Sequence, residues 1–254
     1  MKKELGIQLF SVRDRMTTRD DTQHTFKKLR EYGFTQVQTA GVPAWGFEAF
    51  AQDVKDAGLT VVGTHLGFDL IQNTEECVRV HNILGTTNAG IGGAPSGACD
   101  SAEAVAKFCE DANRAAEALS KHGMKFTYHN HSFEFKKVGN DTVMDILVRE
   151  LDPKNCSFVL DTYWVQHAGA FVNEWIEKLA GRIDILHLKD KAIKGFDTGY
   201  ITELGSGNLN FKSIMKTAEE TGVKYFCYEQ DSGHVINPLE SAKQSAEFFF
   251  NELA

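Results

Sequence analysis

Histidines and carboxylates recur along this chain at the ends of short apolar runs, where their types and spacing have chemical content. Gln8 lies near the end of LGIQLF, and His65 and Asp69 follow LTVVGT. His129, Asn130, His131 and Glu134 close the segment KFTYHNHSFE, and Asp161, Tyr163 and Trp164 sit at the end of SFVLDTYW. His187, Lys189 and Asp190 end IDILHLKD, and Glu229, Gln230 and Asp231 end YFCYEQD. Such groups are costly to desolvate unless they share a partner. A divalent ion such as Mn²⁺, Mg²⁺, Co²⁺ or Zn²⁺ accepts carboxylate oxygen and imidazole nitrogen together, so a metal site is the expected chemistry. Strand parity narrows the set. Side chains alternate between faces, so His129 and His131 share one face while Asn130 takes the other. His187 and Lys189 likewise share a face, as do Cys227, Glu229 and Asp231. On this count His129, His131, Asp161, His187 and Glu229 point inward, and Glu134, past the strand end, is free to turn back to the same centre.

Bringing these residues together requires parallel strands whose C-terminal ends open on one side. The apolar and amphipathic patterns predict strands over residues 5–10, 37–40, 59–65, 88–91, 125–131, 157–161, 183–188 and 225–229. Between them the helical period predicts helices over 22–32, 47–57, 75–84, 101–122, 142–151, 171–179, 211–221 and 238–253, with Ser101 as an N-cap. Glycines at 33, 58, 85, 123, 181 and 222 close helices in this reading. Eight strand–helix units in 254 residues come to about 32 residues each. Parallel strands need crossover helices, and eight such units close into a (β/α)8 barrel with its site at the C-terminal strand ends. The competing fold, a doubly wound open sheet, carries a glycine-rich phosphate loop after an early strand, and here strand one runs into SVRDRM. The expectation is therefore one α/β barrel domain over residues 1–254.

Composition excludes other classes. Apolar residues make up 42% of the chain and charged residues 24%, so a disordered chain is excluded. No apolar run approaches the ~20 residues that cross a bilayer, so no membrane span is expected. The N-terminus lacks an apolar stretch of signal-peptide length. With 27 basic against 35 acidic residues, net −8, there is no basic stripe for nucleic acid. Five cysteines, odd in number and without a C-x-x-C pair, point to a reduced, cytoplasmic protein without a cysteine zinc site. The run Phe248–Phe250 places aromatics on more than one helix face; it fits either a contact surface of a homo-oligomer or packing beneath the barrel floor. The stretch GIGGAPSG, residues 90–97, lacks the Lys-Ser/Thr of a phosphate loop and fits a mobile lid.

The motifs IQLFSVRD, GTHLGFD, YHNHSFEF, VLDTYWVQHAG, LHLKD, ELGSGNLNF and YEQD together resemble the sugar phosphate isomerase/epimerase family, across the whole chain. This is the xylose isomerase-like TIM barrel group, which also holds inosose dehydratase, hydroxypyruvate isomerase, ketose 3-epimerases and an abasic-site endonuclease. The resemblance implies a divalent ion held by a Glu after strand five, an Asp on strand six, a His on strand seven and a Glu on strand eight. The last three fall on Asp161, His187 and Glu229. At strand five the register holds His129 where the ketose epimerases have a glutamate, and the nearest glutamate is Glu134. The preferred assignment is Glu134 as fourth ligand and His131 as base, with His129 in reserve for either role.

The implied activity is isomerisation or epimerisation of a small carbohydrate, by proton abstraction next to a carbonyl through a metal-stabilised enediolate. An imidazole suits the base because its ordinary pKa lies near neutrality. Glu229 doubles as ligand and second proton carrier. Gln8, His65, Lys189 and Trp164 are the candidate substrate contacts, with Phe10 and Phe68 as further apolar wall. Lys189 either binds a substrate oxygen or pairs with Asp161 or Asp190. The alternative is a lyase or dehydratase acting on an inosose or 3-oxo-glycoside, since a histidine at strand five occurs in such members. An abasic-site endonuclease fits less well, given the net charge of −8.

Overall fold

Each expected apolar run forms a strand, and five of the eight are shorter than expected. The computed structural model describes residues 3–254. The strands are β1 (Gly6–Gln8), β2 (Gln36–Gln38), β3 (Thr60–Gly63), β4 (Asn88–Ile91), β5 (Lys125–His129), β6 (Cys156–Asp161), β7 (Ile183–Leu188) and β8 (Tyr225–Tyr228). They pair in parallel in the order β3-β2-β1-β8-β7-β6-β5-β4. The two outer members approach as well: Leu66 bridges Ile91 in parallel, and its N–H donates to the Gly90 carbonyl at 2.9 Å. The sheet is thus a nearly closed barrel of eight parallel strands. A parallel sheet covered on both faces needs apolar residues at nearly every position, and β6 and β7 are buried along their whole length.

Eight helices cover the outside: α1 (Arg19–Glu31), α2 (Phe47–Asp56), α3 (Thr74–Leu84), α4 (Ala102–Ser120), α5 (Val143–Glu150), α6 (Val172–Lys178), α7 (Phe211–Glu220) and α8 (Pro238–Phe248). Local chemistry fixes their ends. Ser101 Oγ accepts the Ala104 N–H at the start of α4, and Thr142 with Asp145 forms a reciprocal capping box on α5. Gly85 ends α3 at φ +72°, a left-handed conformation that a side chain disfavours. The helices pack onto the outer strand face through residues such as Phe26, Leu29, Val80, Phe108 and Ile176. Inside the barrel, Val62, Val159, Ile185 and Cys227 form a separate apolar layer beneath the mouth.

Several boundaries differ from the sequence reading. β1 stops at Gln8 because its side chain accepts the Phe10 N–H at 2.9 Å and caps a 3-10 turn, Leu9–Arg15. β5 stops at His129, so His131 lies in the following loop, where strand parity no longer orients it. An antiparallel hairpin, Asp190–Lys194 with Thr198–Thr202, follows β7, and a smaller one, Lys137–Val138 with Asp141–Thr142, follows β5. The Phe248–Phe250 run is absorbed by the fold. Phe249 is fully buried, the Phe248 ring packs on Gly205 and the Phe250 ring on Gly33. Among the described residues no helix is long and apolar enough to cross a membrane.

Candidate metal centre

Four adjacent strands, β5 to β8, deliver one group each to the barrel mouth. His129 ends β5, Asp161 ends β6, His187 is the penultimate residue of β7, and Glu229 follows β8. One ligand atom from each lies within 4.8 Å of all the others, and all four residues are buried. His129 Nε2 is 3.6 Å from Asp161 Oδ2 and 3.9 Å from Glu229 Oε2; His187 Nδ1 is 3.7 and 2.9 Å from the same two oxygens. Metal–ligand bonds of about 2.1 Å set tetrahedral ligand atoms about 3.4 Å apart, so this spacing suits a small divalent ion.

Hydrogen bonds behind the cluster turn the lone pairs toward its centre. His129 Nδ1 lies 3.2 Å from the Gly92 carbonyl, which only accepts, so Nδ1 carries the proton and Nε2 the lone pair. His187 Nε2 lies 2.6 Å from Gln38 Oε1, which leaves its Nδ1 for the cluster. Asp161 Oδ1 accepts the Trp164 N–H at 2.9 Å and caps the short helix Thr162–His167, so that Oδ2 faces inward. Asp161 Oδ2 and His129 Nε2 are both buried without a hydrogen-bond partner. Two buried acceptors, one anionic oxygen and one imidazole lone pair, each without a proton donor, fit a cation between them. Asn130, the residue after β5, accepts the Asp161 N–H at 3.0 Å through Oδ1 and ties the ends of β5 and β6 together.

Charge is concentrated here. Lys189 Nζ, almost fully buried, lies 2.6 Å from Asp231, 3.2 Å from Glu229 and 3.4 Å from Asp161. Burial by itself would favour the protonated forms of Asp161 and Glu229, but the Lys189 ammonium outweighs it, with help from His187 and His129. Asp161 is held down to about 2, and Glu229 well below the usual carboxylate range. Burial would also deprotonate His187, but Glu229 and Asp161 overcome it and carry its pKa up to about 9. His65 and His131 lack such partners. Burial and the neighbouring His129 push His131 down to about 3 and His65 well below its usual value, so both stay neutral.

The cluster opens on a cavity of about 360 Å³ whose wall includes Phe10, His65, His131 and Asp231, with His129 and Glu229 at its base. His131 stacks on Phe133 with ring centroids 5.6 Å apart, and the Trp164 ring stands 5.4 Å away. Trp164 also lies beneath Lys189 Nζ, 4.9 Å from the ring centroid. Lys189 pairs with Asp161, Glu229 and Asp231 rather than Asp190, whose carboxylate instead accepts the backbone N–H groups of Lys191, Gly205, Gly207 and Leu209.

Three expected contacts fall elsewhere. Glu134 is not brought into the four-residue group: it sits on the 3-10 turn Phe133–Phe135, where one oxygen accepts the Tyr128 hydroxyl and the other the His131 N–H, each at 2.8 Å. Tyr128 belongs to the outer face of β5, so this carboxylate is satisfied behind the strand, and His129 stands in its place. Gln8 is fully buried below the cavity, bonded to Gln38, His65 and the Phe10 N–H. Phe68 packs in the outer core against Phe108 and Phe126. Conversely, Gln38 and the Gly92 carbonyl, which orient the two histidines, were not singled out in the sequence. An inward-facing glutamine in an otherwise buried parallel strand was the signal for Gln38.

Over 154 residues the chain is 27% identical to inosose dehydratase of Geobacillus thermodenitrificans, covering 54% of this chain and 50% of that protein. The chain thus matches about half the length of its curated relatives. A sugar phosphate isomerase/epimerase structure from Parabacteroides distasonis superposes with a TM-score of 0.84 at 24% identity, over 100% of this chain and 95% of that one. A xylose isomerase-like TIM barrel protein from Mycobacterium smegmatis, solved in complex with magnesium, superposes with a TM-score of 0.73 at 14% identity, over 98% and 95%. At these identities the superpositions establish the fold. Residues 26–252, nearly the whole barrel, match the xylose isomerase-like TIM barrel family. The chain belongs to that family.

Proposed function

We propose that this protein is a divalent-metal-dependent sugar isomerase or epimerase that moves a proton on a carbon next to a carbonyl. The observation that carries the reading is the N₂O₂ donor cluster of His129, Asp161, His187 and Glu229 opening on a cavity walled by a neutral, unpartnered imidazole, His131. The magnesium found in a structural relative supports the choice of a hard divalent ion. Held by those four residues, such an ion supplies electrophilic polarisation of the substrate carbonyl.

The chain's own residues supply the rest. His131 takes the proton: its ring lines the cavity, and its Nδ1 is buried without a partner. Glu229 is a poor competitor for this role, because it belongs to the four-donor cluster and its Oε2 already faces His187 at 2.9 Å and Lys189 at 3.2 Å. Lys189 offsets the carboxylate charge around the cavity, and the Phe133 and Trp164 rings keep His131 in place. The five cysteines are free and buried, in keeping with a cytoplasmic setting.

A second reading is dehydration of an inosose. It is favoured by the inosose dehydratase relatives and by a histidine, not a glutamate, at the end of β5. Incubation with Mn²⁺ in D₂O against a panel of ketoses and inososes separates the two. Deuterium at the carbon next to the carbonyl with all hydroxyls retained marks the isomerase, and loss of water marks the dehydratase. His131→Ala should retain metal and lower exchange roughly a hundredfold or more. Exchange at the wild-type rate in that variant, or none with any substrate, overturns the reading.

A further inference from the structure

The amide of Gln8 lies at the centre of a hydrogen-bond chain whose polarity runs in one direction. In the turn after β1, the Phe10 N–H can only donate, and Gln8 Oε1 receives it at 2.9 Å. That contact fixes which end of the amide is which, so Gln8 Nε2 points to the other side with two protons to give. One goes toward His65 Nδ1 at 3.0 Å and the other toward Gln38 Oε1 at 3.1 Å. An amide nitrogen accepts nothing, so His65 Nδ1 must be the acceptor and the single ring proton sits on Nε2. His65 Nε2 is buried without a partner, in a residue that lines the cavity. Gln38 Oε1 receives a second donor, His187 Nε2, at 2.6 Å. Turned over, the Gln38 amide would set its NH₂ against two donors. It therefore keeps its orientation even though its own Nε2 is left without a hydrogen bond. Its orientation is imposed by its neighbours.

We infer that Gln8 is a positioning residue that sets the tautomer of His65, making His65 Nε2–H a donor into the cavity, and that, through Gln38, it holds the Nε2–H of His187 so that Nδ1 is the nitrogen left for the metal. The consequence for recognition is that the wall of the cavity at His65 offers a proton to an oxygen of the ligand, a carbonyl or hydroxyl lone pair. It opposes an ammonium at the same point. The His187 half of the inference rests on the metal-site reading above; the His65 half does not.

The test replaces the donor by an acceptor of the same size. In Gln8→Glu the carboxylate still receives the Phe10 N–H, but it now demands protons from His65 and Gln38. His65 should move its proton to Nδ1. The Gln38 amide should turn over, and His187 should then lose its Nε2–H bond. Gln8→Met keeps the volume and removes the polarity, so His65 should populate both tautomers. Two-bond ¹H–¹⁵N spectra of the metal-free protein read the tautomers directly, and titration with Mn²⁺ reads the affinity. The expected results are Nε2–H on His65 in wild type, its reversal in Gln8→Glu, and a ten- to hundredfold weaker Mn²⁺ affinity in that variant. Should Gln8→Glu fail to fold, Gln8→Met carries the test. His65 protonated at Nδ1 in wild type, or fixed at Nε2 in every folded variant, overturns the inference. A His65 tautomer that follows Gln8 in a protein that binds no Mn²⁺ would instead leave the His65 half standing and remove the metal-site reading with the His187 half.

Discussion

Replacing Lys189 by Met should destabilise the metal-free protein by about 3–5 kcal/mol, the usual cost of removing one partner from a buried ion cluster. The magnitude follows from the surroundings. The ammonium is 1% exposed and lies 2.6, 3.2 and 3.4 Å from three carboxylates. With an effective dielectric constant of about 20, each contact is worth roughly 5–6 kcal/mol of gross attraction, most of it offset by desolvation of the ions. Met fills similar volume, so little cavity cost is added; what remains is Asp161, Glu229 and Asp231 with less positive charge to share. For a chain of 254 residues about 2 °C of melting temperature accompanies each kcal/mol, so thermal unfolding in EDTA should show a drop of about 6–10 °C. Adding Mn²⁺ should raise the melting temperature of Lys189→Met more than that of wild type, because the ion brings positive charge to the same carboxylates. A variant that melts within about 2 °C of wild type in EDTA would refute the charge balance drawn here.

Two further expectations concern the scaffold. Asp145 caps α5 and meets Lys178 at 2.6 Å; partial burial opposes its charge, but the Lys178 and Thr142 hydrogen bonds hold its pKa down to about 2. Its folded pKa lies below the unfolded value of about 3.9, so it stabilises the fold above about pH 4, and that stability is lost as pH falls through about 2. Asp145→Asn should therefore cost about 1 kcal/mol in denaturant melts at pH 7, with the difference from wild type shrinking below pH 4. Gly205 has φ +81°, and an added Cβ would fall inside the Phe248 ring. Gly205→Ala should lose about 1–3 kcal/mol by urea titration, and an unchanged midpoint would contradict that packing.

The barrel was legible because its signals are periodic and redundant. Eight apolar runs, each separated from the next by a helix, admit few other closed arrangements, and glycines such as Gly85 mark the turns between them. Parity set His129, Asp161, His187 and Glu229 on the inner face, and the folded chain has their ligand atoms facing one another. Parity failed where the strand ended. β5 stops two residues before the apolar pattern does, so His131 and Glu134 are placed by loop hydrogen bonds, and Glu134 is drawn to Tyr128 and the His131 N–H. The ligand register of related barrels pointed to that glutamate, whereas the backbone of this chain satisfies it behind the strand. The hairpin Asp190–Thr202 was hidden for a different reason: it is mostly exposed at its tip, with Ile193 and Phe196 in solvent, so no buried face imprints a pattern on it. Gln8 and His65 drew notice for their place in the chain, but their roles depend on which amide end faces which ring. Sequence does not carry that information.

Metal content tests the central claim most directly. Protein loaded with Mn²⁺, dialysed and assayed by elemental analysis should hold about one ion per chain, as a four-donor site requires. Asp161→Asn and His187→Ala should lose it, while Glu134→Gln should retain it. Full occupancy in Asp161→Asn and His187→Ala, or an empty site in a folded Glu134→Gln, would contradict the assignment of His129, Asp161, His187 and Glu229 as the metal centre.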